Sequence, residues 1–149
     1  MADYLKLSRL YLLLLAIVTA GRWYIGSVAH VPYEKGTDKL SIVTLTLFAS
    51  IFYGAFCRRW RGFGVTRALT LGAILGFMGQ IVVFTSTVLA SVLGIESYFT
   101  NPNALQATGP LPLGAILVVR SGGLLANTIS NAIAGMIGWL MGGVLPSDK

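Results

Sequence analysis

This sequence is poor in the residues that do chemistry. Among 149 residues there are five Asp and Glu, one His and one Cys, and each scarcity removes a class of function. The lone Cys57 excludes an internal disulfide and any CxxC redox or zinc arrangement. With His30 as the single histidine, a multi-ligand metal site has no donor set, and no cofactor is expected. No nucleophile, base and orienting group can be assembled, and no Gly-rich phosphate loop precedes a soluble helix, so the chain is read as a non-enzyme. No Asn-x-Ser/Thr glycosylation acceptor occurs either.

What fills the chain instead is apolar. Hydrophobic residues make up 55% and charged residues 11%, with a mean hydropathy of +0.76, far above an ordinary water-soluble domain. Long apolar runs cover residues 10–30, 40–57, 68–94 and about 122–145. Each is near the roughly 20 residues that an α-helix needs to cross a hydrocarbon core about 30 Å thick. The expectation is an all-α, polytopic membrane protein: one domain, residues 1–149, of four transmembrane helices. The N-terminal pattern of Lys6, Arg9, an apolar run and Thr19-Ala20-Gly21 can also be read as a cleavable signal peptide; a retained span or uncleaved signal-anchor is expected.

The formal charge of +6 sits at the ends of the apolar runs, so it is read as topological rather than as a nucleic-acid footprint. Lys6 and Arg9 precede the first span, Arg58, Arg59, Arg61 and Arg67 crowd the connection between the second and third, and Lys149 ends the chain. By the positive-inside rule these are cytoplasmic, giving N-in and C-in. The outer loops are then 31–39, where Lys35 and Lys39 are offset by Glu34 and Asp38, and 96–114, which has no Lys or Arg. A bacterial inner membrane is the default location. Trp60 and Phe63 on one side, and Tyr24, Tyr33, Tyr98 and Phe99 on the other, fit interfacial aromatic anchors. Between the Pro- and Gly-rich segment 100–112 and the fourth span, Leu113 to Ser121 is expected to form a short interfacial or re-entrant helix hinged at Gly122-Gly123. One long tilted helix from about Leu113 is the alternative.

Small residues mark where these helices meet. Gly72 and Gly76 form a GxxxG on the third span; Gly135, Gly138 and Gly142 follow Asn127 and Asn131 on the fourth. The second span adds Thr46, Ser50, Gly54 and Cys57 on one stripe, with Cys57 as a small packing residue. Packing within the bundle is favoured over a homo-oligomer interface.

Counted from the outer ends at about 1.5 Å per residue, the polar residues fall in one layer about 8 to 13 Å deep. Arg22, Thr44, Thr46, Thr85 to Thr87, Asn127 and Asn131 belong to it. A charge within a span is costly and marks a site by default. No Asp or Glu lies in any span, so Arg22 lacks a partner unless Glu96 or Asp38 folds in from a loop. The layer is net positive, and a ligand there is anionic or carbonyl-rich. Arg22, Thr87, Arg120, Asn127 and Asn131 are the candidate ligand- or lipid-binding residues. The competing readings are snorkelling for Arg22, head-group contact for Arg120 and an interfacial place for His30.

Three functions remain in view. The first is a non-catalytic unit acting by helix packing, as a homo-oligomer or a small subunit of a larger membrane complex. The second is a small oligomeric channel or transporter for an anion or polar solute, and the third a lipid-binding protein. Expected partners are membrane lipids, further copies or other membrane subunits, and not nucleic acid.

Overall fold

The computed structural model describes residues 2–36 and 40–144; Asp38, Lys39 and Lys149 lie outside them. Every regular element among these residues is helical. A short helix α1 (Ala2–Leu7) leads through Ser8 into α2 (Arg9–Trp23), which continues as a single widened π-turn, Tyr24–Val28. One turn of helix, α3 (Tyr33–Gly36), precedes α4 (Ile42–Arg61). Then come α5 (Val65–Leu93), a 3₁₀ turn at Pro102–Leu105, and α6 (Leu113–Val144). The run Arg9–Val28 and helices α4, α5 and α6 are each long and apolar enough to cross a membrane.

The helix ends follow local chemistry. Ser41 caps α4, its hydroxyl accepting from the Thr44 N–H at 3.2 Å. Gly62 and Gly94 close α4 and α5 in the left-handed conformation, at φ 62° and 64°, where a side chain would be strained. His30, at φ 48°, ends the π-turn in the same region, with the Val31 N–H reaching back to the Ile25 carbonyl.

One expectation is corrected here. Helix α6 runs unbroken through Gly122-Gly123, so Leu113 to Ser121 is its first part and the long-helix alternative describes the chain. Two glycines lower helix propensity by about 1 kcal/mol each relative to Ala. That is too little to break a helix of 32 residues with packed neighbours.

Helices α4, α5 and α6 pack as a three-helix core, and α2 lies against α4. Small residues set the spacing. A Cβ on Gly135 would lie 2.6 Å from the Ala68 carbonyl oxygen, and one on Gly142 2.5 Å from that of Ala55. Cβ atoms on Gly72 and Gly138 would overlap the backbone carbonyls of Asn131 and Ile51. The two GxxxG faces are therefore consumed inside the bundle, where backbone approach replaces the hydrophobic drive that lipid removes. Gly76 sits on Asn131 in the same seam. Cys57 is fully buried.

The first span joins this core through tyrosine. Tyr11 is 1% exposed; its hydroxyl donates to the Leu75 carbonyl at 2.9 Å and lies 3.1 Å from the Thr46 hydroxyl. Tyr4 meets Phe63 edge-on at 6.3 Å, so α1 shares the end of the bundle that holds Arg58 to Arg67, here termed the arginine end. The opposite, loop end carries residues 29–36 and 94–112.

Candidate functional site

The loop end is built around two aromatic residues that turn inward. Tyr98 and Phe99 are 3% and 1% exposed, a correction to their reading as interfacial anchors. The reason is space below them. Tyr98 seats against Gly26 and Gly36, where Cβ atoms would meet its ring or backbone, and its hydroxyl donates to the Val31 and Pro32 carbonyls at 2.9 and 3.1 Å. Phe99 packs on Trp23 with ring centroids 5.5 Å apart.

Arg22 lies beneath this pair. Only 8% exposed, it donates from Nη1 to the Leu40 carbonyl at 2.8 Å. Its guanidinium carbon stands 5.6 Å from the Tyr98 ring centre and 5.5 Å from that of Phe99, a cation–π arrangement. It does not snorkel, and among the described residues no carboxylate pairs with it: Glu96 is exposed and Glu34 accepts from the Asn103 amide, while Asp38 lies outside the described residues. Arg120 approaches from α6 and donates from Nη2 to the Phe99 carbonyl at 2.7 Å; its Nε is buried with no partner among the described residues.

These two arginines border one cleft. Its smaller chamber, about 130 Å³, is lined by Arg22, Arg120, Tyr33, Ser41 and Phe99, with Val43, Val83 and Ala104 on the boundary. The same Val43, Val83, Ala104 and Arg120 line a second chamber of about 550 Å³, within the roughly 300–1,000 Å³ range of small-molecule sites. Gln80, Asn127, Gly122 and Gly123 form its far wall. No carboxylate lines either chamber among the described residues.

The geometry follows from the glycine seam. Toward the arginine end, Gly138 and Gly142 bring α6 onto the backbone of α4 at Ile51 and Ala55. Toward the loop end the contact is replaced by the cleft, with Val43 of α4 and Val119 of α6 at its edges, 47% and 38% exposed.

The five candidate residues divide. Arg22 and Arg120 face the cleft together, and Asn127 lines its deeper chamber while donating to the Gly123 carbonyl at 2.9 Å. Thr87 does not reach it. It is fully buried and donates to the Val83 and Phe99 carbonyls, fastening the loop. Asn131 is turned into the helix seam, donating to the Asn127 carbonyl and accepting from Ser50 at 2.9 Å. Thr44 and Thr85 of the expected layer are exposed.

Gln80 enters as a site residue that the reading of the sequence did not single out. It is 7% exposed, lines the larger chamber, and its amide has no hydrogen bond among the described residues. The available signal was that it is the one Gln inside an apolar run. Ser41 was also missed: its oxygen accepts from both Thr44 N and Thr44 Oγ1, which leaves its own proton to donate elsewhere. No protein-family model, no curated protein and no solved structure matches the chain.

Proposed function

We propose that this is a non-catalytic, multi-pass membrane protein, N-in and C-in, that works by binding an anionic ligand in the cleft at its loop end. One observation carries the reading: two guanidiniums, Arg22 and Arg120, border the same cleft, and no carboxylate among the described residues lines it. Each engages one nitrogen with a carbonyl among the described residues, out of the five N–H donors that an arginine carries. Buried cationic charge without an acid is costly, and a bound anion relieves it.

Binding is preferred over conduction because the cleft has a floor. Beyond Asn127 the helices close through the Gly72, Gly135 and Gly138 backbone contacts, which favours a blind site over a through-path. Thermal unfolding of the purified protein with a panel of anions and lipids tests the reading. A ligand that binds only the folded state raises the midpoint by mass action. The rise is expected for anionic members and is expected to vanish in Arg22→Gln and Arg120→Gln. Equal response of the wild type to anionic and neutral members overturns it.

A packing subunit is the second reading, favoured by an aromatic stripe on α4. Phe48, Phe52 and Trp60 are exposed, and Phe56 stacks between the last two at 6.0 and 5.0 Å. Native mass of the extracted protein separates the two, since fixed stoichiometry with other chains supports the subunit.

A further inference from the structure

We infer that the ligand is an anionic phospholipid, its phosphate held between Arg22 and Arg120 and its chains lying in the groove over Gly122 and Gly123. This rests on the anion-binding reading and names the ligand class.

The smaller chamber suits a phosphate. Arg22 and Arg120 supply charge and planar pairs of donors, and Ser41 adds a hydroxyl whose lone pairs are already occupied by Thr44. Phosphate takes three or more such donors. The larger chamber is unnecessary for a small soluble anion, yet it continues directly from the first and opens between two valines on α4 and α6. A molecule with a charged head and apolar chains uses both chambers.

The two glycines give the groove its depth. A Cβ on Gly122 would meet nothing within 4 Å, and one on Gly123 would meet only the Gln80 side-chain oxygen, at 4.0 Å. They are unlike Gly72, Gly135, Gly138 and Gly142, whose smallness the helix contacts require. Glycine at these positions weakens the helix and serves no packing; what it does is keep the wall of the chamber empty.

Gln80 supplies a polar group for an occupant. It makes no hydrogen bond among the described residues, and its amide opens on the chamber rather than being enclosed by the protein. Gln80 and Asn127 line the chamber together, Asn127 roughly 10 Å along α6 from Arg120. The carbonyls that join a phospholipid's head to its chains lie below the phosphate, within reach of a Gln or Asn side chain. There Gln80 donates to a carbonyl oxygen.

The experiment is native mass spectrometry of the full chain from detergent, offered phosphatidylglycerol, phosphatidylcholine or inorganic phosphate. Wild type, Arg22→Gln, Arg120→Gln, Gly122→Leu and Gly123→Leu are compared, with thermal unfolding to show that each variant is folded. The expected result is retention of phosphatidylglycerol at least tenfold over phosphatidylcholine, lost in the arginine variants and equally in the two leucine variants. If the arginine variants lose binding, the leucine variants keep it and inorganic phosphate competes, the ligand is a soluble anion. That overturns the lipid while leaving the anion site. If no anionic ligand is retained over phosphatidylcholine by the wild type, both readings fall. Should an arginine variant not fold, the leucine variants and phosphate competition decide between these outcomes.

Discussion

Ser50 and Asn131 join α4 to α6 by a hydrogen bond of 2.9 Å, fully buried, at the level where the glycine seam begins to open into the cleft. Both are also held within their own helices, Ser50 to the Thr46 carbonyl and Asn131 to the Asn127 carbonyl. Neither depends on the other to avoid an orphaned donor. The coupling is therefore expected to be modest, about 0.6 kcal/mol, the average for side-chain hydrogen bonds between membrane helices. A double-mutant cycle with Ser50→Ala and Asn131→Ala, read by reversible unfolding in mixed micelles, measures it. A coupling of 3 kcal/mol would show the pair to be the main clasp between these helices.

Glycines of the same helix should respond in opposite directions. Gly138→Ala drives a methyl into the Ile51 backbone and is expected to cost about 1–3 kcal/mol by overpacking. Gly122→Ala meets open space and is expected to be neutral or stabilising by up to about 1 kcal/mol, through helix propensity alone. Melting midpoints of the two variants against wild type provide the comparison. A destabilised Gly122→Ala would place a packing partner where the structure has a cleft.

At the arginine end, Arg58 donates to the Trp139 carbonyl at 3.0 Å and stacks 3.8 Å from the centre of its ring. Trp139 in turn donates from its indole to the Phe63 carbonyl at 2.6 Å. Lysine keeps the charge but not the plane. Arg58→Lys is expected to destabilise by about 1 kcal/mol, within the range for a cation–π contact, and to shift the Trp139 fluorescence. An unchanged midpoint and spectrum would reduce Arg58 to its topological charge.

Tyr98 predicts a dependence on alkaline pH. Burial pushes its phenol above the ordinary value near 10, the neighbouring Arg22 pulling less strongly the other way. For an acid with a raised folded pKa, the unfolded state ionises first. Stability is thus intact below pH about 10 and falls as pH rises beyond it. Absorbance titration of wild type against Tyr98→Phe should assign the latest-ionising tyrosine outside the spans to position 98, and the variant should lose less stability over that interval.

The four apolar runs were legible because lipid imposes one requirement, an unbroken helix of sufficient length, and hydropathy records it directly. Gly72, Gly76, Gly135, Gly138 and Gly142 were legible for a related reason, since i, i+4 spacing places small residues on one face. Arg22, Arg120 and Asn127 line one cleft toward the loop end. Azimuth was not legible. Whether Thr87 and Asn131 point to a cleft or to a neighbouring helix depends on how α5 and α6 are rotated, which the residues of one helix do not state. The inward turn of Tyr98 was hidden for another reason. It requires Gly26 and Gly36, far away in sequence, to be empty at the same place. Gly122-Gly123 misled because a glycine pair has the same local signature whether it breaks a helix or clears a wall.

The position of Arg22 in the chain has a consequence for how the protein is made. A polypeptide that enters a membrane from its N-terminus delivers this guanidinium before any group that holds it. Leu40, whose carbonyl it grips, follows 18 residues later, and Tyr98 and Phe99 arrive only after two further spans have been synthesised. A lone arginine near the middle of an inserting helix costs about 2.5–3.5 kcal/mol on translocon scales. The span Arg9–Val28 therefore carries a charge whose holders all come later in the chain.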